Sequence, residues 1–91
     1  MEKICIRAII HGKVQGVFYR ESTRKKATTL NITGWVKNND DNTVELHACG
    51  ETPQIQKLID WLWKGPLLAR VKKVTWSAIA TEKHDDFITL R

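Results

Sequence analysis

The sequence predicts an α+β fold, a single sheet with two helices packed on one of its faces. Three observations lead there. Short segments alternate apolar and polar residues, two stretches between them carry helical spacing, and turn formers separate the segments.

Residues 3–10 place Ile4, Ile6, Ala8 and Ile10 on one face and Cys5, Arg7 and Ile9 on the other, the pattern of a half-buried strand. Residues 11–16 follow as a loop containing Gly12 and Gly16. Residues 17–31 are expected to be helical, because Thr23, Ala27 and Leu30 share a stripe and the opposite face is polar. Residues 33–37 read as a strand, and residues 38–42 are rich in turn formers. Residues 43–49 alternate again, opposing Val44, Leu46 and Ala48 to Glu45 and His47, so these segments make a hairpin. Pro53 suits a first helical residue with Thr52 as its N-cap. Ile55, Leu58, Ile59 and Leu62 then mark an amphipathic helix that Gly65-Pro66 ends. Residues 68–77 and 87–91 complete the chain as strands.

This order, βαββαβ plus a short C-terminal strand, is that of the ferredoxin-like α/β sandwich, an antiparallel sheet with two helices on one face. Its register follows from the pattern. Pairing Ile10 with Val44 in strands one and three sets Ile6 against Ala48 and Cys5 against Cys49, and keeps the apolar residues together. The two cysteines then sit at the sheet end remote from residues 12–16, near enough for a disulfide. A reducing cytoplasm favours free thiols, and both states stay open at this point.

At 91 residues the chain is expected to be one domain around one core. The 42% hydrophobic and 27% charged residues fit a soluble globular protein, and no apolar run nears the ~20 residues of a membrane span. Met1-Glu2-Lys3 leads into a strand without an apolar signal core, so the cytoplasm is the expected location. The net charge of +5 favours anionic partners, although Arg24-Lys25-Lys26 and Lys72-Lys73 read as solvated faces. Cys5 and Cys49 form no C-x-x-C pair, and His11, His47 and His84 show no ligand spacing, so no metal or cofactor is expected. Trp35 and Trp76 read as sheet-face packing and Trp61 and Trp63 as lying partly on the helix rim, with no aromatic pattern for nucleic acid. Asp40-Asp41 reads as turn chemistry.

The informative stretch is Gly12-Lys13-Val14-Gln15-Gly16-Val17-Phe18-Tyr19-Arg20, which joins a strand end to a helix start. Unpaired amides in such a turn converge on an anion, and a guanidinium one helical turn in can grip two phosphate oxygens. It is no Walker loop, since Val17, five residues beyond Gly12, and Glu21, five beyond Gly16, stand where the spacing would need its second glycine. Neither cysteine is followed six positions on by arginine, so a cysteine-nucleophile phosphatase loop is absent.

The stretch resembles the signature of the acylphosphatase family, G-x-V-Q-G-V-x-(F/Y)-R, at every fixed position. Gly34-Trp35-Val36-Lys37-Asn38, continuing through Val44 to Gly50, resembles a second family pattern. The similarity extends over Trp61-Leu62, Gly65-Pro66, Ala69-Arg70-Val71 and Phe87. One position departs, Asn42, where the family usually has glycine; asparagine is, after glycine, the residue most tolerant of the left-handed backbone expected there. The resemblance implies metal-free hydrolysis of the carboxyl–phosphate anhydride of small acyl phosphates. Arg20 and the amides of Gln15, Gly16, Val17, Phe18, Tyr19 and Arg20 would hold phosphate, and Asn38 would place the attacking water. Inorganic phosphate and sulfate would compete, no nucleic acid or membrane would take part, and the protein would be a monomer. The rival is a non-catalytic binding module on the same fold. Intact Arg20 and Asn38, in a chain ending at Arg91, favour a free-standing enzyme.

Overall fold

A computed structural model describes residues 2–90. The alternation near the start becomes β1 (Lys3–Lys13), followed by α1 (Tyr19–Thr29), β2 (Thr33–Asn38), β3 (Val44–Glu51), α2 (Thr52–Lys64), β4 (Arg70–Ile79) and β5 (Phe87–Thr89). The strands form one sheet in the order β4-β1-β3-β2-β5. The expected register holds, with Ile10 opposite Val44, Ile6 opposite Ala48 and Cys5 opposite Cys49. Ile6, Ala8, Ile10, Val36, Val44, Leu46 and Ala48 are buried on one face, against Ala27 of α1 and Ile55, Leu58, Ile59 and Leu62 of α2. Each large side chain removed from water there contributes about 1.5–3 kcal/mol.

Four strands pair antiparallel, while β5 lies parallel to β2, so the finished sheet is mixed. The chain leaves β4 at one edge, crosses the sheet end near Cys5, which pairs with Ile79, and joins the opposite edge beside β2. Entering from that end fixes the direction of β5.

Several boundaries differ from expectation, each for a local reason. β1 runs on to Lys13 because β4 extends beside it, pairing Gly12 with Val71 and Lys13 with Arg70 past an irregularity at His11/Gly12. α1 starts at Tyr19 because Phe18 adopts a left-handed backbone (φ 64). In α2, Glu51 is the capping position and Thr52 is already helical; the Thr52 hydroxyl donates to the Glu2 carbonyl (3.3 Å) instead of capping the helix. The last strand ends at Thr89, and the part of that expectation falling on Arg91 lies outside the described residues. Trp76, expected to pack on the sheet face, is about half exposed at the β4 edge.

Cys5 and Cys49 are joined in a disulfide, their Cα atoms 4.0 Å apart. The hairpin turn is closed by Asp41, whose Oδ1 accepts from the Thr43 amide (3.1 Å) and hydroxyl (2.6 Å). Asn42 takes φ 72, the left-handed angle anticipated for it. No helix among the described residues is long and apolar enough to cross a membrane.

Candidate active site

Alternate side chains of the loop after β1 are pinned inward. Val14, Val17 and Tyr19 are buried, and the Tyr19 hydroxyl donates to the Leu62 carbonyl (2.6 Å). Burial pushes the Tyr19 phenol well above its ordinary pKa. Between these anchors the backbone turns tightly through two left-handed residues, Gly16 (φ 74) and Phe18 (φ 64). Glycine takes such an angle freely; phenylalanine does so at a cost of roughly 1–2 kcal/mol.

That turn delivers the chain into α1. The Ser22 amide donates to the Phe18 carbonyl (3.0 Å), which begins the helical ladder and leaves the amides of Tyr19, Arg20 and Glu21 outside it. A serine or aspartate at the capping position would plug them, but Phe18 has no side-chain acceptor. The helix start is therefore open to an anion, with the dipole favouring negative charge.

Arg20 is held from behind. Its Nη1 donates to the Leu90 carbonyl (2.7 Å), and the Leu90 amide donates to Val36 of β2 (2.7 Å). The segment after β5 thus steadies the guanidinium and leaves it further donors.

Asn38 reaches the same rim through the topology. β1 and β2 both run antiparallel to the β3 strand between them, and Ile10, Val44 and Asn38 stand in one row across the sheet. The loop after β1 and the end of β2 therefore meet. Gln15 ties them: its Nε2 donates to the Asn39 carbonyl (2.9 Å) and the Thr43 carbonyl (2.8 Å). The Asn38 Oδ1 is buried and has no hydrogen-bond partner among the described residues. A bare buried acceptor costs about 1–3 kcal/mol.

A hollow of about 240 Å³ is lined by Gly16, Phe18, Tyr19, Arg20 and Asn38, with Val14 and Glu21 completing it. Of the expected residues, Gln15 and Val17 are not in this lining. Gln15 has turned its side chain to the hairpin, and Val17 has buried its own in the core. Glu21 was missed, although its position beside Arg20 in the first helical turn was a usable signal. Arg24 grips its carboxylate with two bonds (2.6 and 2.9 Å), which holds Glu21 below the usual carboxylate range and offsets its charge. A larger hollow of about 620 Å³ lies between α1 and β5, beside Asp85 and Asp86, and lacks both Arg20 and Asn38.

An open helix start beside an arginine, at the rim of a ferredoxin-like sandwich, defines a small α+β protein with a cradle able to take an anion. Comparison with known proteins goes further. The acylphosphatase family model matches residues 6–89. An acylphosphatase of Coxiella burnetii is 55% identical over 83 residues, covering 91% of this chain and 87% of that protein. The solved structure of an acylphosphatase from Coxiella burnetii superposes with a TM-score of 0.94 at 51% identity, over 97% of this chain and 93% of the other. An acylphosphatase crystal structure from Bacillus subtilis gives a TM-score of 0.94 at 29% identity, over 97% and 99%. The chain belongs to the acylphosphatase family, and it is an enzyme that hydrolyses small acyl phosphates.

Proposed function

We propose that the hollow between the loop and Asn38 is where the acyl phosphate is cleaved, with Arg20 and the free amides holding the phosphoryl group and Asn38 aiming the water. The observation that carries this reading is that Arg20 and Asn38 line one hollow, the Asn38 carboxamide having an oxygen without a hydrogen-bond partner among the described residues. A water held by the Asn38 carboxamide is positioned by a group that can orient it but cannot act as a base.

The chemistry suits so spare a site. Water attacks phosphorus, the bond from phosphorus to the acyl oxygen breaks, and the carboxylate leaves with the electron pair. Its conjugate acid has a pKa of roughly 4, so it departs without a proton and no general acid is required. Charge on the phosphoryl oxygens is met by the guanidinium and the amide dipoles. The water's proton passes to a phosphoryl oxygen of the substrate, since Glu21, the one carboxylate lining the hollow among the described residues, is engaged by Arg24. Phosphate monoesters, which release a basic alkoxide, should be poor substrates.

The same reading has a single-domain monomer acting in the cytoplasm, with inorganic phosphate and sulfate competing for the cradle and neither nucleic acid nor membrane taking part. The test is benzoyl phosphate turnover in EDTA, followed by absorbance. Arg20→Ala and Asn38→Ala should each lower kcat/KM about a hundredfold or more while the fold persists. Wild-type rates in either variant, indifference to high phosphate, or a rate tracking a protein group that titrates near neutrality would each contradict the assignment.

A further inference from the structure

The opposite end of the sheet gathers a second set of reactive groups, which the acyl phosphate chemistry does not use. The segment between β4 and β5 crosses that end over the disulfide, and the Glu82 amide donates to Cys5 Sγ (3.3 Å). Glu82 Oε1 lies 3.0 Å from His84 Nε2 and 3.0 Å from His47 Nδ1. Trp35 fixes His47 by stacking on its ring (4.3 Å between centroids). Ligand-type atoms of Cys49, Glu82 and His84 all fall within 4.8 Å of one another. A hollow of about 440 Å³ opens beside them, lined by both cysteines, Glu82 and His84, with Lys3 and Lys83 at its edge.

As a disulfide, the two sulfurs are neutral and poor ligands. Reduction changes this, because a metal binds the thiolate. A thiolate, an imidazole and a carboxylate would then converge, from Cys49, His84 and Glu82, with the second thiolate, Cys5, beside Cys49 and outside that cluster; soft sulfur donors select zinc-like ions over magnesium or calcium. We propose that reducing the Cys5–Cys49 bond converts this end of the sheet into a site for a thiophilic divalent cation, with Cys5, Cys49, His84 and Glu82 as ligands. His47 is the positioning residue that steadies Glu82 from outside the coordination sphere.

The magnitudes fit. Zinc–sulfur bonds of about 2.3 Å and zinc–nitrogen bonds of about 2.0 Å place tetrahedral ligand atoms roughly 3.3–3.8 Å apart. The atoms of Cys49, Glu82 and His84, within 4.8 Å of one another, must therefore close by about 1 Å, while the two sulfurs, bonded in the disulfide, must part on reduction, and both movements are open to them. Cys5 and Cys49 ride on paired strands, whereas Glu82 and His84 lie in a segment without regular structure. Two thiolates and a carboxylate exceed the charge of a divalent ion by one, and Lys3 and Lys83 stand nearby to meet the excess. The electrons balance: a dithiol reductant supplies two electrons and two protons, leaves as its own disulfide, and the incoming cation displaces the two thiol protons.

The test uses the whole protein, reduced with a dithiol, freed of reductant without air, and titrated with cobalt(II) and then zinc(II). The reduced protein should bind one cobalt ion with thiolate-to-cobalt absorption and tetrahedral ligand-field bands, zinc should erase them, and the oxidised protein should stay colourless. His84→Ala and Glu82→Gln should each weaken zinc about tenfold or more against a chromophoric chelator. Acyl phosphate turnover reports that reduced protein and variants are folded. Absence of the thiolate band in reduced protein, unchanged zinc affinity in either variant, or loss of the fold on reduction would overturn the proposal.

Discussion

Replacing Gln15 by methionine keeps the length of the side chain and removes its donor. Two bonds disappear, to the Asn39 carbonyl (2.9 Å) and the Thr43 carbonyl (2.8 Å). Each contributes a net 0.5–1.5 kcal/mol, roughly. Neither carbonyl is left bare, because Thr43 still accepts from the Asn39 amide (2.9 Å) and Asn39 from the Asn42 amide (3.3 Å). The stability loss should therefore stay within about 1–3 kcal/mol, read as a shift of the urea midpoint at constant slope. The larger effect should be on turnover. Asn39 adjoins Asn38, and a misplacement of about 1 Å in a positioning group costs about a hundredfold. We expect kcat for benzoyl phosphate to fall about ten- to a hundredfold with little change in KM, since Arg20 and the helix start are untouched. Gln15→Glu should be worse than Gln15→Met, because an acceptor-only carboxylate would face two carbonyl oxygens. Wild-type turnover in Gln15→Met, or a Glu variant more stable than the Met one, would refute the clamp.

Gly34→Ala should cost about 3 kcal/mol or more: the added Cβ would sit 1.9 Å from the His47 carbonyl oxygen, at a backbone angle (φ 141) that side chains avoid, and urea unfolding will measure it. Tyr19 should govern alkaline stability. Burial raises its folded pKa, so its contribution is complete below the unfolded value of about 10 and is lost as pH rises beyond it. Tyr19→Phe should be less stable at neutrality, leaving the Leu62 carbonyl without that donor, and should lose less above about pH 10; parallel profiles would count against burial as the cause. Reducing the disulfide frees a chain closed across 44 positions, a loss of about 4 kcal/mol in the chain-entropy account, and calorimetry should show a lower Tm for the reduced protein.

How much of this was legible depended on whether a feature lives in side-chain pattern or in backbone. The β1–β3 register could be narrowed because a slip of one residue would set the apolar Ile6 and Ile10 of β1 on the face opposite to Val44 and Leu46 of β3. The end of β1 could not, since Gly12 and Lys13 carry no apolar signal and are strand only because β4 lies beside them. Helix α1 was drawn two residues too early for a similar reason. Val17 and Phe18 look like helix residues by hydrophobicity, but Phe18 is the left-handed turn that opens the helix start. Arg20 and Asn38 were visible through motif and topology; the Leu90 carbonyl behind Arg20 was not, because a main-chain oxygen has no residue signature. The cluster of Cys49, Glu82 and His84 escaped for another reason. Its ligands have no spacing rule, and meet only where the β4–β5 connection crosses the sheet end.

Three departures from what stability alone would select lie around one hollow: a left-handed Phe18, a helix start without a side-chain cap, and a buried Asn38 oxygen without a partner. Each costs on the order of 1 kcal/mol in the empty protein. Unrelated defects would be scattered; here the left-handed Phe18 is what holds the helix start open, and one phosphoryl group bonding to the open amides would offset the cost of leaving them uncapped. The free energy recovered has a direct readout. Inorganic phosphate at a hundred times its dissociation constant should stabilise the fold by about 2.7 kcal/mol, because it binds only the folded form. Arg20→Ala should lose most of that gain at the same phosphate concentration, and Gly34→Ala, which leaves the hollow intact, should keep it. Equal stabilisation of wild type and Arg20→Ala would mean that the anion is held elsewhere and that the departures around the hollow have another cause.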